Sequence, residues 1–179
     1  TSHHHTAWSV MAASLGEDTG ILKASGQAKA YARQWIEARS KGRKCIALTL
    51  READYGAKRN SDLTIWSDLA ARLDAAGYFP VIVRDIDKAL EPLPAEFAGI
   101  AALGEASFNL QLRMGFYEEA HICIFVSNGP GHLCFYNPRV CYLYNVTGEW
   151  SEGIAYKRWG LDQGENPPFV TRFQKWLWQ

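Results

Sequence analysis

The sequence predicts an α/β domain in which a mainly parallel sheet of about five strands lies between helices on both faces. Three observations carry this expectation. Short segments centred on apolar residues, KCIALTL at 44–50, FPVIVRD at 79–85, HICIFVSN at 121–128 and RVCYLYNV at 139–146, do not alternate polar with apolar, which is how strands buried on both faces read. Stretches with helical spacing separate them, and strands alternating with helices build parallel sheets. Finally, a chain of 179 residues that is 47% hydrophobic can fill a core on each side of one sheet. The predicted architecture is a Rossmann-like three-layer domain over residues 24–146, with 1–23 as an N-terminal extension and 147–179 as a C-terminal loop and helix packed on the body.

In chain order, Ala28, Tyr31, Ala32, Trp35 and Ile36 recur at helical spacing and place an amphipathic helix over 24–40, ended near Lys41-Gly42. The strand 44–50 follows. After the polar loop READYGAKRN comes a second helix with Leu63, Trp66, Leu69, Ala70 and Leu73 on one face, Asn60 or Ser61 as its cap and Gly77 at its end. Strand 79–85 is next, and the acidic, proline-containing stretch 86–97 reads as loop. AGIAALG at 98–104 is a weaker strand, and 107–120 is a helix with Ser107 as cap. The strand at 121–128 leads into GPGHLCFYN, a short helix, and then into the strand 139–146. The tail from Thr147, rich in Gly, Trp and Pro, ends in TRFQKWLWQ, read as a helix. Its Trp150, Trp159, Trp176 and Trp178 could stack on sugar rings or fill core.

Charge excludes some partners. Lys and Arg number 19, as do Asp and Glu, so no net field draws the chain to nucleic acid or an anionic membrane. No segment approaches the ~20 apolar residues of a membrane span, and the N-terminus lacks a signal peptide's basic segment and apolar core. A cytoplasmic location is the expectation. Cys45, Cys123, Cys134 and Cys141 form no C-x-x-C pair and read as reduced core thiols, and no metal site is expected. The chain opens TSHHHTAW without an initiator methionine, which suggests a processed or excised segment, with the histidines as a solvent-exposed tract.

In parallel sheets ligands bind outside the C-terminal ends of the strands. Two loops there carry candidate chemistry. In SNGPGH, Ser127 and Asn128 offer neutral donors, Gly129 and Gly131 let backbone N–H groups approach a ligand, Pro130 suits a first helical turn, and His132 follows. The segment reads either as an anion cradle or as a strand-to-helix turn that needs glycine only for its geometry. In LREADYGAKRNSD, Arg51 ends the first strand and Lys58 and Arg59 follow, cations able to pair with phosphate oxygens. No G-x-G-x-x-G and no G-x-x-x-x-G-K-[ST] occurs.

Strand, SNGPGHL, short helix and strand resemble the D-T-G-P-x-H-L segment in the C-terminal domain of the heptosyltransferases that build lipopolysaccharide, and TLREADY resembles the strand-end arginine of GT-B glycosyltransferases. The resemblance covers roughly residues 44–146. Ser127 stands where the motif has aspartate and Asn128 where it has threonine, while Gly129, Pro130, His132 and Leu133 agree. The absent aspartate bears directly on whether an ADP-heptose donor is taken. What the resemblance implies is a GT-B half that binds a nucleotide-sugar donor as substrate, with a glycan as acceptor and no further cofactor. Arg51 would be a phosphate-binding cation, and Glu118 or Glu119 could reach the ribose hydroxyls. The catalytic base of such enzymes usually lies in a separate N-terminal domain, so no catalytic residue is assigned. Two other readings stay open, a nucleotide or sugar-phosphate binding module and a nucleotide-sugar epimerase-like domain.

Overall fold

A computed structural model of the chain describes residues 12–13, 15–146, 166 and 170–178, without the side chains of Val146 and Trp178. The His tract, Trp150 and Trp159 lie outside the described residues. The elements are α1 (Gly26–Ser40), β1 (Cys45–Thr49), α2 (Leu63–Ala75), β2 (Phe79–Val83), β3 (Ala101–Ala102), α3 (Leu110–Glu119), β4 (Ile122–Val126), α4 (Gly131–Phe135), β5 (Tyr142–Val146) and β6 (Gln174–Trp178), with short 3-10 turns at 57–59, 86–88, 95–97 and 104–107.

Among the described residues, six strands form one sheet in the order β3-β2-β1-β4-β5-β6, and every pairing is parallel. β1 is central, with Cys45 beside Phe79 on β2 and Ile46 beside Ile122 on β4. Successive β1 residues feed opposite cores, and this alternation makes the domain three-layered. Cys45 and Ala47 join Ala32, Phe116, Tyr117, Phe125 and Phe135 beneath α1, α3 and α4. Ile46, Leu48 and Leu50 join Trp66, Ala70, Ile82 and Phe97 beneath α2.

Local signals set most element ends. Ser25 Oγ accepts from Ala28 N–H at 3.2 Å to open α1, and Lys41 and Gly42 close it with φ of 54° and 80°. Tyr31, expected on the inner face of α1, is half exposed. The cap of α2 is Asp62, whose Oδ1 accepts from Thr64 and Ile65 N–H groups, because Asn60 and Ser61 are engaged in the preceding loop. α3 starts at Asn109, which accepts from Leu112 N–H at 3.0 Å. Ser107, the expected cap, instead donates to the Arg84 carbonyl at 2.8 Å.

The C-terminal segment corrects the sequence reading. The expected helix at its end is β6, a parallel strand added to β5. Gln174 and Trp176 are buried while Lys175 and Leu177 are exposed, a period of two that fits a strand. The Gln174 amide donates to the carbonyls of Asn137 and Val140 at 3.1 and 3.0 Å and holds the strand in place. Trp176 packs edge-on against Tyr144 with ring centres 4.8 Å apart. All four cysteines are free thiols. Burial, and then the neighbouring thiol, push Cys45 and Cys123 up and keep them neutral. No described helix is long and apolar enough to cross a membrane.

Candidate functional site

The chain leaves β1 toward β2 on one side of the sheet and reaches β4 on the other, so the strand order reverses between β1 and β4. In open parallel sheets a crevice opens at this point, outside the C-terminal strand ends. The loops that flank it are 50–62 and 127–131, the two that the sequence singles out.

Loop 50–62 is organised around Arg51. Its backbone N–H donates to Ser61 Oγ at 2.9 Å. Its guanidinium, buried, donates through Nη2 to the Tyr55 carbonyl at 2.7 Å and through Nη1 to the Gly56 carbonyl at 3.1 Å and to Asn60 Oδ1. The Tyr55 ring covers it at 5.2 Å. Asn60 completes the weave by donating to the Ala53 carbonyl at 2.9 Å. In this structure Arg51 therefore shapes the loop from within. Lys58 is exposed on the 57–59 turn, and Arg59 is partly buried behind it.

Ser127 hydrogen-bonds to Tyr144, and the charge of Arg59 acts on the same phenol. Burial raises the Tyr144 phenol, while a hydrogen bond with Ser127 and the charge of Arg59 lower it in part. Tyr144 sits on β5, on the far side of β4 from β1.

In the second loop, Asn128 Oδ1 accepts from Gly131 N–H at 2.9 Å and turns the chain into α4. Asn128 Nδ2 is buried without an acceptor. The N–H groups of Asn128 and Gly129 have no acceptor among the described residues. Gly129 is exposed, and a Cβ there would meet nothing within 4 Å. Gly131 differs, because a Cβ there would stand 2.7 Å from Phe125 Cε2. Neither glycine has positive φ. His132 Nδ1 lies 3.1 Å from the Gly129 carbonyl, an acceptor only, so Nδ1 carries the proton and Nε2 is the open ring nitrogen. Its ring packs on Phe135 at 5.5 Å.

Glu118 is not brought to this crevice. It lies in the last turn of α3, near the edge where the strands begin, and its side chain is 1% exposed. Oε1 accepts from Ala24 N–H at 2.7 Å and from Asn137 Nδ2 at 2.8 Å, and Lys29 pairs with Oε2 at 3.1 Å. Glu119 is taken by Arg33 at 2.9 Å. A ribose at the opposite strand ends is out of reach of both.

The structure also puts residues at this edge that the sequence reading passes over. Arg84, directly after β2, forms a buried two-pronged ion pair with Glu52 at 2.8 and 2.5 Å, tying the loop after β1 to the end of β2. Arg113, on the inner face of α3, donates to the carbonyls of Ala106 at 2.7 Å and Arg84 at 3.2 Å. The available signal is a cation four residues before Tyr117, on the face of α3 that carries core aromatics. Among the described residues no group of His, Cys, Asp and Glu could hold a metal.

Comparison with known proteins finds no matching family model and no matching curated protein. Two solved structures share the fold. One is the ADP-heptose lipopolysaccharide heptosyltransferase II of E. coli, with a TM-score of 0.59 and 15% identity over 87% of this chain and 44% of that one. The other is the glycosyl transferase family 9 protein of Veillonella parvula DSM 2008, with a TM-score of 0.58 and 11% identity over 84% of this chain and 49% of that one. The chain spans less than half the length of either.

Proposed function

We propose that this domain binds the diphosphate of a nucleotide-sugar donor in the crevice between loops 50–62 and 127–131, as the donor half of a glycosyltransferase. The observation that carries the reading is that loop 50–62, with Lys58 and Arg59 on its 57–59 turn, and loop 127–131, with exposed Gly129, flank the switch point of a parallel sheet whose fold is shared with two glycosyltransferases. Exposed Gly129 lets a ligand approach the backbone there.

The chemistry follows from the donor set. In an inverting transfer a base deprotonates the acceptor hydroxyl while positive groups stabilise the departing diphosphate. Arg59 and Lys58 would supply the second function, and the neutral donors of Asn128 and Gly129 would orient the phosphates. Arg51 would act by holding loop 50–62 in its bound shape. The base, the sugar and the glycan acceptor belong to the part of the reaction that these loops do not provide. Ser127 in place of a carboxylate favours a donor that needs no acid at that position.

Titration calorimetry with ADP, GDP and UDP, then with their sugar conjugates, tests the reading. Binding of at least one diphosphate with a sub-millimolar constant is expected. No heat with any of them at millimolar concentration would remove it.

A further inference from the structure

Arg113 is 2% exposed, yet no carboxylate stands within ion-pair distance of it among the described residues. A buried guanidinium without a counter-charge is costly, and backbone carbonyls offset only part of that cost. The other buried arginines at this edge are satisfied differently. Arg84 has the carboxylate of Glu52, and Arg51 uses both Nη atoms on its loop beneath the Tyr55 ring. Arg113 uses Nε on Ala106 and Nη2 on Arg84, and its Nη1 has no acceptor among the described residues.

Its position is informative. The Arg84 carbonyl directly follows β2, and Ala106 lies in the turn after β3, so the guanidinium sits at the C-terminal edge of the sheet. It lies on the side covered by α1, α3 and α4, one helical turn above Tyr117, which shares a 2.8 Å hydrogen bond with Thr49 at the end of β1. At the same edge, Asn128 Nδ2 is buried without an acceptor. A buried cation without a carboxylate, at the same edge as a buried amide N–H that lacks an acceptor, calls for a ligand rich in acceptors and negative in charge.

We infer that Arg113 is the buried counter-charge for a phosphate group of the ligand, its unused Nη1 donating to a phosphate oxygen at the C-terminal edge of β1 and β2. This rests on the diphosphate reading above and adds to it a residue on α3, outside both loops. Arg113 also holds the loops after β2 and β3 together, and the experiment must separate that structural contribution from anion binding.

The probes are inorganic pyrophosphate, ADP and adenosine, titrated into the full chain and into Arg113→Lys and Arg113→Gln. A charge-assisted hydrogen bond in a buried site implies that Arg113→Gln weakens pyrophosphate and ADP about tenfold or more, that Arg113→Lys stays within about threefold, and that adenosine is unaffected. Pyrophosphate affinity within twofold of the parent for Arg113→Gln overturns the inference and leaves the crevice reading standing. Absence of binding of pyrophosphate, ADP, GDP and UDP by the parent overturns both. Should Arg113→Gln not fold, nitrogen-15 spectra of the parent's arginine side chains decide. The guanidinium resonance absent from Arg113→Lys shifts on saturation with pyrophosphate if Arg113 touches the anion, and a static resonance refutes the contact.

Discussion

Gly129 and Gly131 stand two positions apart and are small for different reasons. At Gly131 the constraint is packing, since a Cβ would press within 2.7 Å of the Phe125 ring on β4. Overpacking of this kind costs about 1–3 kcal/mol. Gly131→Ala is therefore expected to lower the melting temperature of the free protein and to leave the nucleotide affinity of the folded fraction unchanged. At Gly129 the surrounding space is empty and φ is unexceptional, so nothing in the described residues requires glycine. Gly129→Ala is expected to leave the melting temperature unchanged or slightly higher and to weaken diphosphate binding. The pair measured by thermal melting and calorimetry separates the two roles, and equal affinities for Gly129→Ala and the parent would remove its backbone from the ligand path. Both positions were visible in SNGPGH, but the division between them was not. Spacing shows that a glycine is present, and only the location of the Phe125 ring shows why.

Among the elements, β6 departs most from expectation, and the reason is the length of its signal. Five residues, QKWLW, give one and a half turns of helix or a whole strand, so periodicity alone separates the two poorly. The sheet decides the matter, because β5 offers an unpaired edge and Tyr144, Phe135 and Tyr142 offer aromatic surface that Trp176 covers. Trp176 is 4% exposed, and large-to-small changes of a buried tryptophan cost about 3–5 kcal/mol. Denaturant unfolding of Trp176→Ala is expected to show a loss of that order. A loss under ~1 kcal/mol would mean that β6 is peripheral to the core. α3 shows the converse case. Its boundaries differ from expectation by a few residues, because Ser107 was drawn away from capping by the Arg84 carbonyl. The helix itself was legible from its spacing, whereas nothing in that spacing marks Arg113 within it as buried without a carboxylate.

For the whole molecule, Glu118 joins three parts of the chain, the entry to α1 through Ala24 and Lys29, the end of α3, and the turn after α4 through Asn137. Burial alone would raise its carboxyl, but the Ala24 N–H, Asn137 and Lys29 outweigh burial and leave it below the ordinary 4.5. A group whose pKa is lowered by folding contributes stability above its unfolded value and loses it as pH falls through the folded value. Melting temperatures of the parent and of Glu118→Gln are thus expected to differ most at neutral pH and to converge as pH falls from about 4.5 through the lowered folded value. A constant offset across the range would show that the charge plays no part. The sequence by itself determined the class of fold, the strands β1, β2, β4 and β5, the helices between them, and the two loops that flank the crevice, because burial on both faces and helical spacing are written in residue order. Tertiary structure alone decided that Arg51 turns into its own loop, that Ser127 bonds to Tyr144, that Glu118 lies near the opposite edge, and that Arg113 is buried without a carboxylate. Those outcomes depend on which side chains meet across strands distant in the chain, and no local pattern of residues encodes such meetings.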